Sequence, residues 1–197
     1  MTSPVADPRP APVRALLRRL RHLPDRALHA RRRTRLGARL AGGERVQRVV
    51  ILCHGNICRS PFAEAVLRGT LDRRPIEVVS GGFLPAGRES PAAAVAAAAR
   101  RGIALAAHRS RAVHTIPWRR GDLWVVMDPG QRRRAIFDFG VPAADVVLLG
   151  DFDPAPIETR AIPDPIERPD AVYDAAYARI ERCVGALATM LAAAERT

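Results

Sequence analysis

An α/β fold is predicted for this chain of 197 residues: a small doubly wound four-stranded parallel sheet with helices on both faces. Two features predict it. Short all-apolar runs, of which Val49-Val50-Ile51-Leu52 is the clearest, read as strands buried on both faces. Segments with apolar residues at helical spacing stand between those runs, and strands alternating with helices make a parallel sheet. The length suits one domain with an appendage.

Residues 1–45 read as a basic Arg/Pro-rich N-terminal extension, either disordered or an amphipathic helix. Four prolines fall within residues 1–12, and Leu16, Leu17, Leu20 and Leu23 then repeat at helical spacing until Pro24. A second arginine-rich stretch runs from Asp25, a candidate N-cap, to Leu40, and Gly42-Gly43 forms a hinge. The domain proper is expected over 46–197. Its strands are predicted at Val46 to Cys53, Ile76 to Val79, Leu123 to Met127 and Val146 to Leu149. Helices are predicted from Ser60 to Leu71, from Pro91 through the alanines to Arg101, from Pro129 to Phe139, and from Asp170 onward, with Gly81 to Ser90 and the proline-rich 150–169 as loops.

The formal charge is +12, but residues 1–48 hold 13 arginines against Asp7, Asp25 and Glu44, so the basicity belongs to the extension and the rest is nearly neutral. The tail arginines have no aromatic residue among them, which removes the stacking element of single-strand binders; no specific nucleic acid is expected. The other readings of the tail are a solvated extension and a weak contact with an anionic membrane surface. No apolar run approaches the roughly 20 residues of a membrane span. Arg18, Arg19 and Arg21 interrupt the only stretch that could serve as a secretory h-region, so a cytoplasmic location is expected. Three cysteines are too few and too odd in number for a disulfide framework.

The chemistry concentrates where the first strand ends, in Cys53-His54-Gly55-Asn56-Ile57-Cys58-Arg59-Ser60-Pro61. Open parallel sheets bind ligands at that place. Gly55 and Asn56 permit the turn that gathers backbone N–H groups into an anion-sized nest, and Pro61 opens a helix whose N-terminus faces the same point. These are conditions that favour a thiolate at Cys53, and Arg59 offers a planar fork for two phosphate oxygens. With 32 arginines in the chain, Cys-x5-Arg alone is expected about 0.5 times by chance, so the surrounding string carries the argument.

That string, from Cys53 to Glu64, resembles the phosphate loop of the low-molecular-weight protein tyrosine phosphatases, Cys-x-Gly-Asn-x-Cys-Arg-Ser-Pro-x-Ala-Glu, at every fixed position. Weaker echoes occur at Ser80-Gly81-Gly82, at His108-Arg109-Ser110-Arg111 and at Met127-Asp128. The resemblance implies a phosphocysteine intermediate, neither metal nor cofactor, and a phosphotyrosine-containing protein substrate, with a cognate tyrosine kinase as a further partner. By the same resemblance Cys53 is the nucleophile, Arg59 the phosphate clamp, Asn56 the loop organiser, Ser60 the hydroxyl beside the sulfur, and Asp164-Pro165 the general acid. His54, Gly55, Ile57 and Cys58 complete the phosphate-binding loop. Of the three Asp-Pro pairs, Asp164 is preferred because it stands just before the last helix; Asp128 reads as a helix cap and Asp153 is the alternative acid.

Competing readings stand beside these. Cys58 is either a buried filler or a partner that traps Cys53 as a reversible disulfide, and Cys183 reads as core. His54 reads as pocket surface. Ile166 and Glu167 follow the Asp-Pro pair where many family members carry aromatic residues, so Phe83 or Leu84 is the candidate apolar wall. Arsenate reduction on the same fold and a non-catalytic phosphate- or phosphoprotein-binding module are the alternative functions.

Overall fold

The computed structural model describes residues 29–71, 74–155, 157 and 159–194; the proline-rich lead-in and the leucine-spaced stretch before Pro24 lie outside them. Helix α1 covers 29–41, and β1 (Arg48–Cys53), α2 (Arg59–Thr70), β2 (Glu77–Gly82) and α3 (Ala92–Ala99) follow. Then come β3 (Asp122–Val126), α4 (Pro129–Phe137), β4 (Val146–Leu148) and α5 (Asp170–Ala194), with 3-10 turns at Val113–Thr115, Ala143–Asp145 and Leu149–Phe152.

The four strands are parallel in the order β2-β1-β3-β4. The chain steps from β1 to β2 on one side and returns across β1 to β3 on the other, which makes the space beyond the ends of β1 and β3 the switch point of the sheet. Every residue of β1 is buried. Val49, Ile51 and Cys53 face the cluster that includes Phe62, Leu67 and Tyr177 of α2 and α5, while Val50 and Leu52 face a second cluster with Val113, Ile116 and Ala135. This two-residue alternation, with apolar side chains on both faces, is why the strand reads as a continuous hydrophobic run. Phe62 stacks on Tyr177 with centroids 3.9 Å apart and fixes α2 against α5.

Observed ends differ from the sequence reading in one place that matters for function. Strand β2 runs on through Gly81 and Gly82, read from sequence as loop, because these pair in register with Leu52 and Cys53. Glycine is required at position 82 by space, since a Cβ there would lie 2.7 Å from Asn56 N, whereas one on Gly81 would press on a side-chain end, Ile116 Cδ1, at 2.8 Å. Composition pointed to a turn, but pairing and close backbone approach outweigh it.

Helix α1 packs on the domain. Leu36 and Leu40 are 2% and 5% exposed within the larger core cluster. Arg32 sends both Nε (2.5 Å) and Nη2 (2.8 Å) to the Asp151 carboxylate, and Arg39 reaches Asp145 and the Ala144 carbonyl. Gly43, at φ +87°, turns the chain from α1 toward β1.

Candidate active site

The loop 54–58 leaves β1 and enters α2, so its backbone must reverse within five residues. Asn56 makes the reversal at φ +52°, and it is fully buried. Four contacts hold it. Its Nδ2 donates to Ser60 Oγ (2.9 Å) and Ser80 Oγ (2.8 Å), its Oδ1 accepts the Arg111 N–H (2.7 Å), and its carbonyl meets His108 Nε2 at 2.8 Å. The motif residue is thus tied to two of the three sequence echoes, one on β2 and one in the segment before Val113.

Cys53, 2% exposed, ends the strand with its sulfur inside this loop. Sγ accepts from Asn56 N at 3.2 Å and Ser60 Oγ at 3.1 Å. Because Ser60 Oγ already accepts from Asn56, its own proton is free to point at the sulfur or at the Gly81 carbonyl 3.3 Å away. His54 is exposed at the rim, Gly55 is buried beneath the Arg88 guanidinium, whose Nη2 donates to the Gly55 carbonyl at 2.5 Å, and Ile57 is half-buried.

Arg59 begins α2 and is 3% exposed. Its Nη1 donates to the Ile162 carbonyl (3.0 Å), its Nη2 is paired with Asp164, and its buried Nε has no hydrogen-bond partner among the described residues. Asp164 is therefore brought to the loop from 105 residues away, with its carboxylate 39% exposed. The other Asp-Pro acids are committed elsewhere. Asp128 caps α4 through the Gln131 N–H (2.8 Å), and Asp153, wholly buried, is held by Arg179 (3.0 Å) and Arg182 (3.2 Å) of α5.

Cys58 is buried behind the loop, and its carbonyl accepts from Tyr177 OH at 3.4 Å. Burial, with smaller contributions from the negative charge of Cys53 and Asp164, pushes its thiol up to about 12, against the opposing charge of Arg59. Burial likewise pushes the Cys183 thiol, on the core face of α5, up to about 12. Phe83 packs on Phe139 (5.9 Å) beneath Arg134 (4.3 Å), which commits its ring to the second core cluster. Among the described residues no group of three or more His, Cys, Asp and Glu is placed to hold a metal ion, and no helix is long and apolar enough to cross a membrane.

Sequence reasoning passed over Arg88 and Tyr177. Arg88 lies in a loop without a local signal, whereas Tyr177 falls on the apolar stripe of α5 and was recoverable from its spacing with Tyr173. A loop whose Asn56 N–H meets the Cys53 sulfur, at the start of α2 and beside the Arg59 guanidinium, has the chemistry to receive a tetrahedral oxyanion, as in phosphate-handling α/β enzymes.

Comparison with known proteins specifies the class. The family model for low molecular weight phosphotyrosine protein phosphatase matches residues 48–197. The chain is 30% identical over 142 residues to the probable low molecular weight protein-tyrosine-phosphatase EpsP of Ralstonia nicotianae, covering 72% of this chain and 93% of that one. It is 28% identical over 134 residues to Wzb of Escherichia coli K12, covering 68% and 88%. Among solved structures, the YwlE arginine phosphatase of Geobacillus stearothermophilus superposes with a TM-score of 0.65 at 29% identity, over 75% of this chain and 94% of that one. Wzb of E. coli K30, solved with sulphate, shares the fold at a TM-score of 0.62 and 24% identity, over 74% and 99%. The chain belongs to the low molecular weight phosphotyrosine protein phosphatase family, and it is a phosphatase.

Proposed function

We propose that the protein hydrolyses aryl phosphomonoesters, phosphotyrosine in a protein substrate above all, through a phosphocysteine on Cys53. The observation that carries the reading is the Arg59–Asp164 pair, which sets a carboxyl group beside a loop that already holds a sulfur and a phosphate clamp. Cys53 Sγ attacks phosphorus while the ester P–O bond breaks, and the Asp164 carboxyl donates its proton to the departing oxygen. The resulting carboxylate then takes a proton from water as the water oxygen attacks phosphorus. The S–P bond breaks, and phosphate and the thiolate are released.

Arg59 has two tasks in this scheme. Nε, buried without a partner, and Nη2 form the fork that holds two equatorial oxygens. A phosphoryl dianion competes with Asp164 for Nη2, so substrate binding frees the carboxyl at the moment the leaving oxygen needs a proton. Asn56 N–H and Ser60 Oγ orient the sulfur, and the N-terminus of α2 adds its dipole.

The named relatives EpsP and Wzb support a phosphotyrosine protein as substrate and, with it, the tyrosine kinase that makes the substrate as second partner. We place the enzyme in the cytoplasm, where the three free cysteines stay reduced, with a weak contact between the arginines of 1–45 and anionic membrane as its surface preference. Residues 46–197 are the catalytic unit in this reading. The test is hydrolysis of p-nitrophenyl phosphate, and of phosphotyrosine against phosphoarginine peptides, by wild type, Cys53→Ser and Asp164→Ala under reducing conditions. Activity should vanish with Cys53→Ser and fall about 10²-fold or more with Asp164→Ala. Full activity in Cys53→Ser would overturn the mechanism, and preference for the phosphoarginine peptide would overturn the substrate.

A further inference from the structure

Helix α1 precedes the residues that match the family, yet it is joined to the stretch that delivers Asp164. Asp151 lies in the turn Leu149–Phe152, directly after β4, with a side chain that is wholly inaccessible to solvent. Its hydrogen-bond donor is Arg32 of α1, through two N–H groups at 2.5 and 2.8 Å. Burial raises the Asp151 carboxyl above its usual range and the Arg32 contact opposes that rise. The pair is what allows a carboxylate to occupy this place.

From that turn a series of short contacts runs to the active site. Gly150 is pressed against the returning chain, where a Cβ would stand 1.9 Å from the Arg160 carbonyl oxygen. Two residues after Arg160, Ile162 donates its N–H to the Met127 carbonyl (2.8 Å) and gives its own carbonyl to Arg59 (3.0 Å). Two residues further stands Asp164. The start of the 150–164 stretch and the position of its acid are therefore coupled through the close approach of Gly150 to Arg160, beside the hydrogen bonds by which Arg179 of α5 holds Thr159 and Ala161.

We propose that Arg32, on α1 and outside the family-matched region, is a positioning residue for the proton donor: by seating Asp151 it holds the 149–152 turn against Arg160 and so sets Asp164 over the loop. Without Arg32 the buried Asp151 carboxylate loses both of these hydrogen bonds and keeps only the charges of His29 and Arg160 nearby, and the turn relieves this by rotating toward water, which lifts Gly150 from Arg160. The proposal rests on the reading of Asp164 as general acid.

Leaving-group dependence separates the two claims. Phenyl phosphate needs a proton on its departing oxygen, whereas 2,4-dinitrophenyl phosphate scarcely does, so loss of the acid selectively lowers kcat/KM for the first, the parameter that excludes the later hydrolysis of the phosphocysteine common to both esters. Full-length Arg32→Gln should lose about tenfold in kcat/KM on phenyl phosphate and less than about twofold on the dinitrophenyl ester. Because both rates come from one sample, a smaller folded fraction lowers them equally and leaves their ratio unchanged. The double variant Arg32→Gln/Asp151→Asn removes the buried charge while keeping amide groups in place, and it should restore most of the ratio. Where Arg32→Gln does not fold, Arg32→Lys keeps the charge without the fork and should shift the ratio in the same direction by less. Equal losses on both esters, or no loss, with Asp164→Ala still showing the selective loss, overturns the proposal alone. Absence of selectivity in Asp164→Ala overturns the acid assignment and this proposal with it.

Discussion

The side-chain oxygen of Asn56 accepts the main-chain N–H of Arg111 at 2.7 Å, joining the loop after β1 to a segment 55 residues away. One buried amide thus fixes the loop to two neighbours, because its nitrogen is occupied by Ser60 and Ser80. Asn56→Ala leaves the Arg111 N–H without its acceptor and puts a less tolerant residue at φ +52°. The expected cost is about 2–4 kcal/mol in urea unfolding, with a fall in kcat greater than the rise in KM, since the amide orients Ser60 and does not contact substrate.

Gly82 makes the same point through volume. Its missing Cβ is the space taken by Asn56 N and the Gly55 carbonyl carbon, at 2.7 and 2.8 Å, so Gly82→Ala must displace backbone. A loss of about 1–3 kcal/mol is expected. Phosphate affinity, read by isothermal titration, should weaken because the displaced atoms belong to the loop proposed to hold phosphate.

Asp153 should behave as a structural acid. Burial pushes its carboxyl up, but the Arg182 hydrogen bond, the Ala155 N–H and the charges of Arg182 and Arg179 outweigh that, and it titrates below its usual range. Its contribution to stability is therefore present above the unfolded value of about 3.9 and is lost as pH falls through the lower folded value. Asp153→Asn should cost about 3 kcal/mol at neutral pH, and the gap from wild type should close below about pH 4 in denaturant melts. A gap independent of pH would show that the charge is not what matters.

The thiols of Cys58 and Cys183, both pushed up to about 12 by burial, stay protonated at neutral pH. Substoichiometric iodoacetate at pH 7 should leave both unmodified in the folded protein and place its adduct on Cys53, with inorganic phosphate slowing the reaction. Peptide mapping by mass spectrometry reads the outcome, and an adduct on Cys58 would contradict it.

A fragment of residues 46–197 should be much less stable than the full chain. It lacks Leu36 and Leu40, whose burial contributes about 1.5–3 kcal/mol each, and it takes from Asp151 the two hydrogen bonds of Arg32. That is comparable with the whole stability of a typical domain, about 5–15 kcal/mol. Asp151→Asn in the fragment should recover part of the loss in a thermal melt; equal melting of fragment and full chain would count against a stabilising α1.

Strands, helices and the loop from Cys53 to Ser60 were legible in the sequence because each depends on neighbours: alternation on β1, an Asp-Pro cap at Asp128, and a turn that Gly55 and Asn56 permit. Choosing among three Asp-Pro acids was less direct. Position along the chain favoured Asp164, but the reason Asp153 is unavailable lies in Arg179 and Arg182, which α5 brings from 26 and 29 residues further on.

By itself the sequence determined the class of fold, the family and the turn from β1 into α2, since local spacing and backbone preference suffice for those. Only the tertiary structure decided that Gly81 and Gly82 extend a strand, that Asp164 meets Arg59, and that the arginine-rich segment before Gly42 is seated on the core. Each of these turns on a buried charge or a close backbone contact between residues distant in the chain, and such energies are set by which surfaces meet, which residue spacing does not encode.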